Sequence, residues 1–178
     1  MNYSIRQEQR KDYKETEEVV EKAFESLEES DQSEHHLVSK IRESDAFIPE
    51  LSLVAWNEEN HQILGHILLS KIFIGSGSEK VESLALAPVS VLPDYQGKGI
   101  GRALIENVIA QAEKSGFQSI VVLGHPEYYP KFGFKKASSW NIEAPFEVPD
   151  EAFMALELKD GALDNVSGVV EYSSAFME

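Results

Sequence analysis

Cysteine is absent from the 178 residues of the chain. Its absence excludes disulfide bonds, thiolate metal ligands and cysteine nucleophiles. Long apolar runs are absent as well, since no stretch approaches the roughly 18 apolar residues that a membrane-spanning helix needs. The first residues contain no apolar stretch of the length found in signal peptides. We therefore expect no membrane association and a cytoplasmic location.

Basic residues are scarce, with 16 lysines and arginines against 31 acidic residues and a formal net charge of −15. A charge of this sign disfavours nucleic acids and anionic lipids as partners and attracts cations, although it also serves solubility alone. The length and the 42% share of hydrophobic residues are ordinary for a packed protein. We expect one domain over residues 1–178, because domains commonly contain about 100–200 residues.

The first half of the chain alternates between two periodicities. Apolar residues at helical spacing predict helices over residues 13–27 and 34–43, with a break at Pro49. Residues 3–6 read as an edge strand. Two apolar runs, 51–56 and 63–69, flank the polar residues 57–61 and predict an antiparallel hairpin.

The second half predicts a strand, loop, helix and strand in succession. A long strand over residues 81–91 is followed by a glycine-rich segment and by a helix that ends at Gly116. The apolar run 120–123 is typical of a buried parallel strand. A short helix over 128–134 and a terminal strand over 153–158 complete the prediction.

Three glycines lie within five residues in the segment Gln96-Gly97-Lys98-Gly99-Ile100-Gly101. Its position between a strand and a helix favours phosphate binding by backbone N–H groups and a helix N-terminus. The dinucleotide fingerprint fails here because Arg102 occupies the place of its third glycine. The nucleotide-triphosphate loop fails because Gly99 follows Lys98 and Leu92 stands where a glycine is needed.

The same segment resembles the acyl-CoA signature of the GNAT superfamily, Gln/Arg-x-x-Gly-x-Gly/Ala, and residues 89–93 look like the family's splayed fourth strand. Residues 129–134 are similar to the family's Tyr-x-x-x-Gly-Phe segment. Residues 123–129 and 148–154 further resemble the YhbS-like subgroup of acetyltransferases. The resemblance thus covers most of the chain and rests on two signatures about 30 residues apart.

The resemblance implies an α/β GNAT fold, in which helices flank a mixed and centrally splayed sheet. It implies acetyl-CoA as cosubstrate. We expect no metal, because His61 and His66 lie five apart with glutamine after His61, so no His-Glu-x-x-His pattern arises. The backbone around Ser90 would pair with the pantetheine arm, and the amides of residues 97–102 would hold the pyrophosphate. The cofactor-binding residues expected on this basis are Val89, Ser90, Val91, Gln96, Gly97, Lys98, Gly99, Ile100, Gly101 and Arg102.

The resemblance also implies direct attack of a primary amine on the thioester, which agrees with the missing cysteine. Such a reaction needs an acid for the leaving thiolate and a base for the amine proton. Tyr129 matches the family's tyrosine and is our candidate acid, with Tyr128 as the alternative and simple packing of both open. Glu82 is the candidate base, with His66 as an alternative acting through water. Glu82 also fits a solvated strand end, and His66 a satisfied buried histidine.

The acceptor itself is not identified by the sequence, and a small-molecule or peptide amine both fit. We expect its pocket to be built by the first two helices, the loop after Ile74 and the part from Ser138 onward, with Trp140 and Phe146 as candidate walls. A cationic acceptor is suggested by acidic residues in these parts: Glu28, Glu29, Asp31, Glu147, Asp150 and Glu151. A monomer or a homodimer fits equally well. The rival hypothesis is a non-catalytic acyl-CoA-binding or interaction module of the same fold.

Overall fold

The computed structural model describes residues 2–25, 27, 30–75 and 77–176. Within them lie three α-helices, α1 (Tyr13–Phe24), α2 (Glu34–Arg42) and α3 (Ile100–Lys114). The strands are β1 (Tyr3–Gln7), β2 (Phe47–Asn57), β3 (Ile63–Ile74), β4 (Val81–Val91), β5 (Ser119–Leu123), β6 (Lys135–Lys136), β7 (Ile142–Glu143), β8 (Phe153–Glu157) and β9 (Gly168–Glu171). No helix of the described ranges is both long and apolar enough to cross a membrane.

The strands form one mixed sheet in the order β1-β2-β3-β4-β5-β8-β6. Neighbours in this order are antiparallel except β4 and β5, which are parallel and connected through α3. Beyond Ser70, where β2 no longer accompanies β3, β9 pairs with the end of β3 and carries β7 beside it. The expected α/β fold with a mixed sheet and flanking helices is confirmed.

Strand side chains alternate between the two faces of the sheet, and apolar side chains lie on both of them. Helices therefore cover each face. On one face, Leu104 and Val108 of α3 pack against Leu84 and Ile67. On the other face, Val20 of α1 packs together with Val38 and Ile41 of α2 against Leu68. The long strands β3 and β4 are therefore covered on both faces, which places their backbone at the centre of the molecule.

The hairpin and the strand–loop–helix–strand unit are confirmed, but three boundaries differ from the predictions. Helix α1 ends at Phe24 rather than at residue 27, and Leu27 beyond it is about half exposed. Pro49 does not break the chain but lies inside β2, where a register shift removes the need for its missing N–H. Residues 153–158 are not the terminal strand, since β9 follows them.

Candidate functional site

Strands β4 and β5 separate along their length. They pair only at Leu84 with Ile120 and at Ala85 with Val121. On its other side β4 stays paired with β3 as far as Val91, with an irregularity opposite Leu68. The edge of β4 beyond Ala85 that faces β5 therefore has no strand partner among the described residues. It offers free backbone donors and acceptors to an extended ligand.

The glycine loop, residues 96–101, connects this open edge to α3. Gly97 and Gly99 have φ values of 75° and 87°, in the left-handed region that non-glycine residues rarely adopt. Gly101 is different, because it is helical and a Cβ there would lie 3.8 Å from Val91 Cγ2, an ordinary contact. The first intrahelical bond runs from Ala103 N to Gly99 O over 3.0 Å, so the N–H groups before Ala103 point out of the helix unpaired.

These unpaired N–H groups face a cavity of about 330 Å³. No acidic side chain lies in the first turn of α3, so nothing competes with an anion for the positive end of the helix. The lining brings together seven of the ten expected cofactor residues and adds Tyr95 and Tyr128, which sequence analysis did not assign to the cofactor: Val91, Tyr95, Gln96, Gly97, Gly99, Ile100, Gly101, Arg102 and Tyr128.

Gln96, Lys98 and Arg102 differ in what their side chains do. The Gln96 side-chain amide donates a hydrogen bond to Val91 O over 3.0 Å, which ties the loop to the end of β4. Lys98 is exposed and does not line the cavity. Arg102 is exposed too, and its Nε lies 3.6 Å from a Glu106 carboxylate oxygen. The loop thus holds its shape through Gln96 and presents two cations near the cavity.

Tyr129 lies at the open end of β5. Its ring packs beneath Gly124, where a Cβ would approach Tyr129 Cδ2 to 2.9 Å, so this position needs glycine. The ring also meets Tyr128 edge-on at 5.3 Å. Burial, followed by the neighbouring Tyr128, raises the pKa of Tyr129 to about 12, which keeps the phenol protonated at neutral pH. The sequence places Gly124 directly after an apolar strand, but it does not show that this glycine makes room for the Tyr129 ring.

Glu82 lies at the other end of β4, opposite Phe73 of β3. Its side chain is about half exposed, and one carboxylate oxygen is 3.7 Å from Lys71 Nζ. It lies four positions before Leu86, where the open edge begins, roughly 13 Å at the usual rise per residue. Glu82 therefore precedes the open edge of β4, and its role as base stays a prediction.

His66 is fully buried in β3 on the face covered by α1 and α2. Its Nε2 lies 2.9 Å from Ser52 Oγ and 3.8 Å from a Glu8 carboxylate oxygen. Burial lowers the pKa of His66 to about 4, an effect that Glu8 opposes and Arg42 reinforces. The imidazole is therefore neutral at pH 7 and has no direct contact with solvent.

A separate cleft of about 670 Å³ lies beside the carboxyl end of β5. Its residue Phe153 pairs with Leu123, the last residue of β5, which is 44% exposed at the open end of the sheet. Glu147, Asp150 and Phe146 line this cleft as expected, together with Glu143. Of the other expected acceptor-site residues, Trp140 is partly buried and packs against the apolar cluster that contains Ala137 and Ile142. Asp31 and Glu151 are exposed outside the cleft, and Glu28 and Glu29 lie outside the described residues.

Groups of three or more histidine, aspartate and glutamate side chains with metal-binding geometry are not found in the ranges that the structure describes. The site is made of an open strand edge, a glycine loop at a helix N-terminus and two tyrosines, and the acidic cleft shares no lining residue with the cavity at the loop. This arrangement can hold an extended molecule that ends in an anion.

Comparison with known proteins gives consistent results. The profile of the Acetyltransferase (GNAT) family matches residues 4–134. The uncharacterized N-acetyltransferase YhbS of Escherichia coli K12 is 31% identical over 158 residues, which cover 89% of each chain. The uncharacterized N-acetyltransferase YjhQ of the same organism is 36% identical over 135 residues, 75% of this chain and 71% of the relative.

Two solved structures share the fold over almost the whole chain. The structure of YhbS from Escherichia coli in complex with CoA superimposes with a TM-score of 0.88 at 28% identity, covering 100% of this chain and 93% of the other. A GNAT family acetyltransferase from Brucella melitensis in complex with acetyl-CoA gives a TM-score of 0.80 at 36% identity and covers 98% of both chains.

Proposed function

The chain belongs to the acetyltransferase (GNAT) family, and from that premise we propose that it transfers the acetyl group of acetyl-CoA to a primary amine by direct attack. The observation that carries the proposal is the open edge of β4 running into the glycine loop. It combines the two features that acetyl-CoA needs, an extended surface for the pantetheine arm and unpaired N–H groups for the pyrophosphate.

The pantetheine arm lies along β4 in this proposal. Backbone groups around Val89 and Val91 pair with its amides, as a further strand would. Leu123, whose side chain is exposed across the gap, packs against the arm from the β5 side. The similarity to two proteins solved with CoA and acetyl-CoA supports this placement.

The pyrophosphate occupies the cavity at the start of α3. Amides of residues 97–102 donate to its oxygens, and the positive end of the helix favours its charge. Lys98 and Arg102 add charge at the rim, where solvent screens them. Tyr128, which lines the same cavity, then packs against the cofactor rather than acting as the acid.

Tyr129 donates the proton to the departing thiolate. Its raised pKa keeps the phenol protonated at neutral pH, so its O–H is available as a donor to the sulfur as the C–S bond breaks. The ammonium form of the acceptor must lose its own proton before attack. His66 is buried and neutral, so it contributes to that step only through bound water, and Glu82 precedes the open edge of β4.

The acceptor enters from the acidic cleft beside the end of β5. Glu143, Glu147 and Asp150 give the cleft negative charge, and Phe146, stacked on Tyr172 at 6.0 Å, gives it an aromatic wall. Such a lining suits a cationic amine, either a small molecule or a peptide, because carboxylates and aromatic faces both attract cations.

The proposal is tested by incubating the native protein with acetyl-CoA and a panel of amines and following release of the free CoA thiol. We expect release with cationic primary amines and no release with their N-acetylated forms as the control. Stoichiometric binding of acetyl-CoA without thiol release across small-molecule and peptide amines would contradict direct transfer and favour a binding module.

A further inference from the structure

Four buried polar residues form a row across four strands on the face covered by α1 and α2. We call them the polar row: Glu8 at the end of β1, Ser52 of β2, His66 of β3 and Ser90 of β4. Glu8 N donates to Ser52 O over 2.8 Å, and His66 and Ser90 are direct partners in the β3–β4 register. Each residue is at most 5% exposed. The row therefore leads from the far edge of the sheet to the strand that faces the cofactor.

The far end of the polar row is held by charge. The Glu8 carboxylate is completely buried and lies 2.6 Å from an Arg42 nitrogen, while a second Arg42 nitrogen lies 2.7 Å from Glu17. The guanidinium also packs over the Tyr13 ring at 3.9 Å. Arg42 carries only donors, so the Glu8 and Glu17 carboxylate oxygens accept its hydrogen bonds.

The hydrogen-bond directions along the row follow from that end. The Ser52 hydroxyl donates its proton to a Glu8 carboxylate oxygen over the 2.7 Å contact. Ser52 Oγ then receives the hydrogen bond from His66, so the proton of the neutral imidazole is on Nε2. The other ring nitrogen, Nδ1, is left with a free lone pair.

Two buried groups without a hydrogen-bond partner in the described part of the chain belong to the last two residues of the row. His66 Nδ1 and Ser90 Oγ are both buried and have no hydrogen-bond partner. They belong to cross-strand neighbours whose side chains share a face, where Cβ atoms are about 5 Å apart. A lone pair beside a hydroxyl donor at this spacing is satisfied by one bridging water or by a small rotation of Ser90. Buried polar groups rarely stay unpaired.

We propose that Glu8 and Ser52 are positioning residues of the acetyl-transfer site, holding His66 as the Nε2–H tautomer so that Nδ1 accepts a hydrogen bond from Ser90, directly or through water. The link fixes the segment of β4 around Ser90 before acetyl-CoA arrives, which lowers the ordering cost of binding. The inference rests on the proposed function only in naming the ligand that benefits, since the tautomer is a property of the free protein.

The tautomer is measured by ¹⁵N nuclear magnetic resonance of the native protein labelled at histidine, without cofactor. We expect His66 to show a protonated Nε2 and an unprotonated, hydrogen-bonded Nδ1. Ser52→Ala removes the acceptor of the Nε2 proton and shifts the signals, whereas Ser52→Thr retains a hydroxyl and restores them. A proton on Nδ1 in the native protein, or Ser52→Ala spectra identical to native, would overturn the inference.

The effect on the cofactor strand is measured by titrating two matched variants with acetyl-CoA. His66→Asn keeps an acceptor oxygen near the place of Nδ1, whereas His66→Gln places its amide near Nε2 and leaves no acceptor near the place of Nδ1. We expect Kd to rise about tenfold in His66→Gln and in Ser90→Ala, and at most about threefold in His66→Asn. Equal affinities of the two His66 variants would contradict the positioning role. Failure of the native protein to bind acetyl-CoA would instead overturn the proposed function and leave the tautomer result intact.

Discussion

The two halves of β4 differ in their neighbours, although they belong to one continuous strand. Leu84 and Ala85 in the first half are paired on both sides, to β3 and to β5. From Leu86 onward the strand is paired on one side only, and it ends in the glycine loop. The comparison shows how one element supplies both a scaffold and a binding surface. The paired half fixes the strand, and the unpaired half exposes backbone groups that a ligand can satisfy.

A negative charge in the glycine loop should weaken acetyl-CoA binding without lowering folding stability, and we expect it to have the largest effect of the changes considered. Gly101 is the suitable position because its helical backbone and open surroundings accept a side chain, unlike the left-handed Gly97 and Gly99. We expect Gly101→Glu to weaken acetyl-CoA binding about a thousandfold, as about 4 kcal/mol of repulsion near the pyrophosphate implies. Calorimetric titration measures the loss.

The uncharged variant Gly101→Gln is the matched control, and it should retain most of the affinity. A carboxylate at a helix N-terminus is favourable for folding, so thermal stability should not fall in Gly101→Glu. Equal losses of binding in both variants would show that bulk rather than charge matters, and would argue against an anion at this place.

Replacing Leu84 of β4 should mainly lower the folding stability, whereas replacing Leu123 of β5 should mainly weaken acetyl-CoA binding. Leu84 is fully buried in the paired half, so Leu84→Ala should cost about 3 kcal/mol of unfolding free energy. Leu123 is 44% exposed at the open end, so Leu123→Ala should change stability by less than about 0.5 kcal/mol and should weaken acetyl-CoA binding severalfold. Denaturant unfolding and titration of both variants test this division.

Lowering the pH should reduce the free energy of unfolding, because His66 must stay neutral in the folded protein. Its pKa is about 4 in the folded protein and near 6.5 when unfolded, so the unfolded chain binds the proton more readily between these values. This contribution to stability is complete above pH 6.5 and is lost progressively as the pH falls to 4, by about 3 kcal/mol. Unfolding curves of native protein and His66→Asn across this range isolate it, and parallel curves would contradict it.

Removal of the Tyr129 hydroxyl should lower turnover without changing the structure of β4 or its binding of acetyl-CoA. Tyr129→Phe should reduce kcat about a hundredfold and leave the acetyl-CoA Kd unchanged, since the acid acts only on the leaving thiolate. Tyr128→Phe is the control and should retain most of kcat. The reverse pattern would move the acid to Tyr128, and full activity of both variants would exclude a tyrosine acid.

The sequence predicted the glycine loop well because its chemistry is local. Gln96, the three glycines and the start of α3 are consecutive in the sequence. A glycine-rich loop between a strand and a helix is enough to indicate a phosphate site. The separation of β4 from β5 was expected only through the family resemblance. Short strands such as β6, β7 and β9 were missed because two to four residues cannot show a period.

The polar row could not be predicted because its contacts join distant parts of the chain. Glu8 is 44 residues from Ser52, and Ser52 is 14 residues from His66. A buried histidine and a solvated one look alike in a sequence, and only the packing of α1 and α2 over β3 decides between them. Glu82 shows a similar limit, since its place at the start of β4 made it a candidate base, while only the structure shows Lys71 as its ion-pair neighbour.

Hydrogen–deuterium exchange of the native protein with and without acetyl-CoA tests the central claim most directly. Saturating acetyl-CoA should slow exchange in residues 86–91 and 97–102 and leave residues 84–85 unchanged, because those two are already paired on both sides. Saturated binding with no added protection in residues 86–91 would contradict the placement of the cofactor along the open edge of β4.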